Sequence, residues 1–248
     1  MPRFFVDMRL QPGARTALPV EAARHARVLR LQPGDGVVLF NGEGAEWMAE
    51  VCSMDKADVV VTVGDARAAF TECAANLTLA LGVPANDRMD TLVEKATELG
   101  VAGVLPLMCE RSVLRLDGER AVRRVSHWQG VAVAAAEQSG RVKVPVIAPV
   151  QRLSDWLSAW TGARAGWVLS FATDAAPAAR AWEQCRERAL QSGLVVLSGP
   201  EGGLAPAEEA MARQAGFEPV SLGRRVLRAD TAPLAALAVV GALMDACP

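Results

Sequence analysis

The sequence predicts an α/β protein in two parts, a small antiparallel β-barrel over about the first 70 residues and then a mostly parallel sheet covered by helices on both faces. Three observations predict it. Turn signals separate short apolar runs at the start of the chain; further on, apolar runs alternate with helix-length segments; and 51% of the 248 residues are hydrophobic, ample for a packed core.

Taken in order, "LPVEAARHARV" has the pattern of a short helix with Pro19 in its first turn, and the pattern breaks at Pro33-Gly34. "VVLF", the turn signal Asn41-Gly42 and "EWMAEV" form a hairpin pattern, and "DVVVTV" is a third strand. The rhythm changes in "FTECAAN", near residue 72, which divides the chain into domains 1–71 and 72–248. In the helix "NDRMDTLVEKATELG", Met89, Leu92, Val93, Ala96 and Leu99 share one face, Asn86 or Asp87 can cap, and Gly100 ends it. Then come the strand "VAGVLPLM", a long helix stopping at Gly140, the apolar run "VPVIAPV" and a short helix near "LSDWLSAW". The strand "GWVLSF", a helix near "PAARAWEQCRERALQSG", the strand "LVVLS", a helix, "EPVSLG", a loop and a last helix complete the chain. Strands separated by helices imply parallel pairing, because a parallel connection needs a crossover.

Composition excludes several classes. The five cysteines are scattered without a CxxC, and the two histidines, His25 and His127, are far apart, so neither a disulfide framework nor a metal site is expected. The most apolar run, "PLAALAVVGALM", is about a dozen residues where a membrane span needs about 20, and no signal-like segment is visible; a cytoplasmic protein without membrane contact is the expectation. A net charge of −2 argues against general coating of nucleic acid, yet residues 1–34 hold six arginines against Asp7 and Glu21. Basic residues are nearly all arginine, which suits phosphate recognition and equally a GC-rich genome.

Two loops stand where an open parallel sheet binds ligands, beyond the carboxyl ends of strands. They are "SGPEGG" after "LVVLS" and "LGRRVLRADTAP" after "EPVS", with Pro233 suited to the first turn of the last helix. Glycines let main chain approach a flat ligand, and Pro200 stiffens the bend. "GPEGG" taken alone is also compatible with a mere tight turn. The GxxxxGK[ST] and GxGxxG patterns are absent, and no lysine follows Lys143. The loops therefore suit an adenine-containing ligand without a polyphosphate, and S-adenosylmethionine is one.

"PRFF" from Pro2, "HARVLRLQPGD" from His25, "EKATELGV" from Glu94, "ERSV" from Glu110, "AAEQSGR" from Ala135, "LSGPEGGL" from Leu197 and "LGRRVLRADTA" from Leu222 follow one another as in the ribosomal RNA small-subunit methyltransferase E family. The chain resembles that family along essentially its whole length. The resemblance implies a SPOUT-class α/β domain with a trefoil-knotted carboxyl-terminal chain that holds S-adenosylmethionine, a PUA-like amino-terminal barrel that helps bind RNA, and a homodimer. It further implies methylation of N3 of a uridine in 16S ribosomal RNA of the small subunit. Connection rules alone would draw an unknotted sheet. Two rival readings share some of these features: a methyltransferase of the same class acting on another RNA base or a ribose, and a non-catalytic RNA-binding ribosome-assembly factor.

On this resemblance the cofactor is bound by Leu197, Ser198, Gly199, Pro200, Glu201, Gly202 and Gly203 of the first loop and by Leu222, Gly223, Arg225, Val226, Leu227, Arg228, Thr231 and Ala232 of the second. Arg228 is the candidate cation for charge developing on the uracil, with Arg3 and Arg9 as alternatives; Asp230, Glu137 and Glu201 are candidate bases. Each acid also has a plain structural task open to it: helix capping for Asp230, loop amides for Glu201, a dimer or knot contact for Glu137. RNA contacts are expected from Arg3, Arg9, Arg24, Arg27 and Arg30, with His25 among them as a buried, hydrogen-bonded residue. The six tryptophans are expected in the core or a dimer contact. Two departures from the family stand out: "RADTAP" has Asp230 for a usual glutamate and Pro233 for a small or β-branched residue, and "SFATDA" lacks a histidine often found there, leaving Ala172 or Thr173 a backbone role.

Overall fold

The computed structural model describes residues 1–55, 58–85 and 88–245. The chain divides into two compact units, Met1–Glu72 with Val133–Val144, and Cys73–Ala132 with Pro145–Pro248.

The first unit contains β1 (Arg3–Phe5), β2 (Arg15–Ala17), α1 (Val20–Val28), β3 (Gly36–Phe40), β4 (Ala45–Met54) and β5 (Val59–Ala68). Val59, Val61 and Val63 point inward while Val60 and Thr62 between them are partly exposed, the period-2 pattern of a half-buried strand. They meet Phe4, Leu39, Val51 and the inner face of α1, Ala22, Ala23 and Ala26. The turn between β3 and β4 is held by Asn41, whose Oδ1 accepts the Glu43 amide, with Gly42 at φ 87°. The sheet differs from the all-antiparallel barrel predicted: its order is β1-β3-β4-β5-β2, and β1 pairs parallel to β3. A parallel pair needs a crossover, and β2 with α1 supply the intervening chain.

A second difference is the segment Val133–Val144, expected within 72–248 and found with the first unit. Arg141 is only 3% exposed, and Glu72 satisfies it at 2.5 Å while also accepting the Val142 and Lys143 amides. Ala136 and Val142 pack on Phe40. Burying a guanidinium requires its counter-ion beside it, so this pair ties the segment down.

The second unit runs β6 (Leu77–Gly82), α2 (Arg88–Glu98), β7 (Gly103–Met108), α3 (Gly118–Ser139, continuing into the first unit), β8 (Val146–Ile147), β9 (Gln151–Arg152) and α4 (Leu153–Ser158). It continues with β10 (Ala165–Leu169), β11 (Ala176–Pro177), α5 (Ala178–Ser192), β12 (Leu194–Ser198), α6 (Pro206–Gln214), β13 (Glu218–Ser221) and α7 (Thr231–Asp245). Every pairing in the sheet is parallel, in the order β11-β13-β10-β12-β6-β7-β8, with β9 also on β7. β12 is buried throughout, as a strand covered on both faces must be. Its Val195 and Leu197 join Leu153 and Leu157 of α4 and Ala212 of α6, while α5 and α7 also pack on the strand.

Met89, Leu92, Val93 and Ala96 of α2 are buried as predicted, but Leu99 is 36% exposed, because the helix ends at Glu98 and Gly100 turns the chain at φ 85°. The predicted cap, Asn86 or Asp87, lies outside the described residues. Trp128, Trp167 and Trp182 are core residues, Trp156 and Trp160 pack around Phe217, and Trp47 packs against the first core.

Strand order decides which loops meet. β12 and β13 lie on opposite sides of β10, so three loops, those after β10, β12 and β13, gather at one end of adjacent strands.

Candidate active site

Those three loops enclose a cavity of about 550 Å³, a size suited to a small organic ligand. Its walls come from the end of β10 and the residues beyond it (Leu169–Ala172), the end of β12 and its loop (Ser198–Leu204), and β13 with the loop and first turn of α7 that follow (Val220, Leu222, Gly223, Arg225–Leu227, Ala229 and Ala232), with Arg111 and Glu209 at the edge.

The glycine loop is compact because it folds back on itself. A Cβ on Gly199 would stand 2.6 Å from the Leu204 amide nitrogen and 2.8 Å from the Gly203 carbonyl carbon, which no side chain tolerates. The same crowding is felt from the neighbouring strand: at the end of β6, a Cβ on Gly82 would meet Pro200 at 2.4 Å. Glu201 does not point freely into the cavity; its Oε1 accepts the Ala85 amide at 2.9 Å and faces Arg88 at 3.4 Å. From another side Arg111 Nη1 donates to the carbonyls of Gly202 (2.9 Å) and Leu204 (3.4 Å). Glu208 begins α6 by accepting the Ala205 amide at 2.9 Å.

The loop after β10 is clamped to α6. Ser170 Oγ donates to Glu209 Oε1 at 2.7 Å and accepts the Ala172 amide at 3.0 Å, and Arg213 bridges Glu209 (2.9 Å) and Asp174 (2.8 Å). Facing Arg213 holds the Asp174 carboxyl below its ordinary value. Phe171 and Val226 are left exposed on the cavity wall.

Of the residues predicted to hold a cofactor, Ser198 through Gly203, Leu222, Gly223, Arg225, Val226, Leu227 and Ala232 line this cavity. Leu197 is buried in the core of the unit, while Arg228 and Thr231 are absent from the lining. The Arg228 carbonyl accepts the Thr231 and Ala232 amides at 3.0 and 2.9 Å, starting α7 and leaving its side chain exposed. Asp230 Oδ1 accepts the Thr231 hydroxyl at 3.4 Å and is also outside the lining.

Glu137 is not among the lining residues and belongs to the first unit. It accepts the Phe5 amide at 2.9 Å and lies 3.3 Å from His25 Nδ1. Burial raises its pKa, opposed by the Phe5 amide and His25. His25 is hydrogen-bonded as expected but half-exposed rather than buried, packed edge-on against Phe4. Arg3 is likewise occupied: it pairs with Glu46 at 2.7 Å and donates to the Gly140 and Arg141 carbonyls. Arg27 donates to the Asp55 carbonyl. Arg9, Arg24 and Arg30 are exposed and form no ion pair among the described residues. The described residues contain no cluster of three or more His, Cys, Asp or Glu side chains placed for a metal ion.

Sequence reasoning missed Arg111, Leu169, Ser170, Phe171, Leu204, Glu209, Val220 and Ala229. Only the position of "GWVLSF" between the two predicted loop-bearing strands could have found some of them, and that position is a matter of strand order.

Residues 71–241 match the family model of an RNA methyltransferase domain, and residues 18–64 match that of an RNA methyltransferase PUA domain. Fold and site thus define a SPOUT-like α/β RNA methyltransferase domain joined to a PUA-like domain. The chain is 33% identical to the ribosomal RNA small subunit methyltransferase E of Synechocystis sp. over 88% of its own length and 70% of that protein. A crystal structure of the Neisseria gonorrhoeae ribosomal RNA small subunit methyltransferase E bound to S-adenosylmethionine matches with a TM-score of 0.89 and 33% identity, covering 98% of both chains. A Legionella pneumophila structure with the same cofactor matches at 0.87 and 30%, covering 97% of each. The chain belongs to the ribosomal RNA small subunit methyltransferase E family.

Proposed function

We propose that this protein transfers the methyl group of S-adenosylmethionine to N3 of a specific uridine in 16S ribosomal RNA of the small subunit. The observation that carries it is the cavity: two loops predicted to hold an adenosine from sequence line one slot, in a fold shared with relatives solved with that cofactor. The residues present fit the group. Gly199, Gly202 and Gly203 bring main chain to the slot, Leu169, Val220, Leu222 and Leu227 give apolar walls, and the lining has no lysine for a phosphate chain.

When bound, the cofactor supplies an electrophilic methyl on a sulfonium. The chain's task is to align the acceptor nitrogen in line with it, and alignment alone is worth roughly 7–11 kcal/mol of such a barrier. N3 must also lose its proton. Arg228, an exposed cation at the start of α7, is assigned to the negative charge that develops on the uracil oxygens; Asp230, two residues on, or solvent takes the proton. Glu201 and Glu137 have structural hydrogen bonds that account for them, and Glu201 acts by holding the glycine loop.

Residues 1–71 are taken as the RNA-docking domain, with Arg9, Arg24, Arg30 and Arg27 as its cations, and 72–248 as the catalytic domain. A homodimer is part of the same proposal, supported by α7, whose apolar residues include the exposed Ala238, Val239 and Ala242. A cytoplasmic location is proposed on two grounds: no helix among the described residues is long and apolar enough to cross a membrane, and Cys52, Cys109 and Cys185 are thiols outside any disulfide.

The test is incubation of undermodified small subunits with the protein and labelled S-adenosylmethionine, then nucleoside analysis. Label in 3-methyluridine is expected; label in another base or a ribose overturns the acceptor, and no transfer together with no cofactor binding leaves an RNA-binding assembly factor.

A further inference from the structure

The glycine loop after β12 is held from outside itself, and we infer that Arg111 is the positioning residue that sets its ligand-binding shape. Arg111 follows β7, which lies beyond β6 from β12 in the sheet, so its side chain reaches across the end of β6. Its Nη1 donates to two carbonyls of one loop, Gly202 at 2.9 Å and Leu204 at 3.4 Å. Its aliphatic stem lies on Gly202: a Cβ there would stand 3.2 Å from Arg111 Cβ and 3.4 Å from its Cδ. A side chain at position 202 would therefore press on the Arg111 stem and require it to shift by a few tenths of an ångström.

The loop is staked at two adjacent points from two different strand ends. Glu201 is held by Ala85 after β6 and by Arg88 at the start of α2, and Gly202 and Leu204 are held by Arg111 after β7. With both carbonyls drawn toward the guanidinium, the loop's remaining polar groups are fixed before a ligand arrives, and ordering entropy is not charged to binding. Arg111 also lines the cavity, so loss of its side chain frees the loop at the wall itself.

This rests on the assignment of the cavity to S-adenosylmethionine, and the test separates the two. Calorimetry compares S-adenosylhomocysteine with methylthioadenosine, which lacks the amino-acid carboxylate, on the full-length wild type, Arg111→Ala, Arg111→Lys and Gly202→Ala. Arg111→Ala is expected to weaken both ligands alike, about tenfold, the scale of a lost hydrogen bond from a charged donor, with the melting temperature little changed. Arg111→Lys should restore most of the loss, since one ammonium can reach both carbonyls. In the Arg111→Ala background Gly202→Ala keeps its closest contact, the Cβ of residue 111 at 3.2 Å, and loses only the Cδ and Cγ contacts at 3.4 and 3.8 Å, so its cost should fall only slightly. A loss confined to S-adenosylhomocysteine would make Arg111 a carboxylate counter-ion and overturn the positioning role; unchanged affinity for both ligands would also overturn it. If the wild type binds neither ligand, the cofactor assignment itself falls, and the role with it.

Discussion

The proposed role of Arg228 can be tested by separating binding from chemistry at one side chain. The Arg228 carbonyl starts α7 and survives any substitution, while the exposed guanidinium is outside the cavity lining. Arg228→Ala is therefore expected to keep cofactor affinity by calorimetry and to lose methyl transfer by about 10²-fold or more, the scale of a removed charge-stabilising donor; turnover like the wild type removes Arg228 from the mechanism. Gly82→Ala tests the opposite case, a position with no chemistry. Its Cβ would stand 2.4 Å from Pro200 Cδ and 3.0 Å from Cys109 Sγ, so Pro200 must move. A cost of about 1–3 kcal/mol in denaturant melts and weaker cofactor binding are expected. Glu137 gives a pH prediction. Burial raises its folded-state pKa above the ordinary 4.5, so between those two values the folded state holds more protons than the unfolded chain. Stability falls as pH rises through that window and stays lower above it; Glu137→Gln should flatten this part of a stability profile measured by urea titration.

Elements are joined by a few polar contacts whose loss is measurable. Asp90 of α2 accepts the Trp128 indole N–H of α3 at 3.1 Å and bonds His127 at 2.7 Å. Trp128 is almost fully buried, so Asp90→Ala strands its donor and is expected to cost about 1–3 kcal/mol by thermal denaturation. Glu72→Ala should cost more, about 3–5 kcal/mol, because Arg141 is left charged in the interior. Helices and strands with clear periodicity were legible: α2 from Met89, Leu92, Val93 and Ala96, β5 from its alternating valines, α7 from its apolar run behind Pro233. The short strands were not. β8 has only Val146 and Ile147, flanked closely by Pro145, and β1 and β2 have three residues each, too few for a period to show. They exist as strands because a longer neighbour offers them hydrogen bonds.

For the whole molecule, a net charge of −2 conceals a basic first segment, and the structure decides which of its arginines are available. Arg3 is consumed by Glu46 and two carbonyls; Arg9, Arg24 and Arg30 remain exposed. RNA affinity should fall linearly with the logarithm of salt concentration, and replacing these three by alanine should reduce the slope by about 2, the value for three lost phosphate contacts on single-stranded RNA. An unchanged slope in filter binding places RNA elsewhere on the protein. The sequence by itself determined the two-part α/β character, most elements, the two glycine- and arginine-rich loops and, through ordered motifs, the family; all of these are written in residues near one another or in fixed spacing. Tertiary structure alone decided that β10 lies between β12 and β13, that Arg111 and Glu209 stand at the cavity wall, that Val133–Val144 joins the first unit, and that Arg3 and Glu137 are bound up in hydrogen bonds. Those contacts link residues tens to more than a hundred positions apart, and they are selected by the summed burial of whole faces, a quantity no local pattern contains.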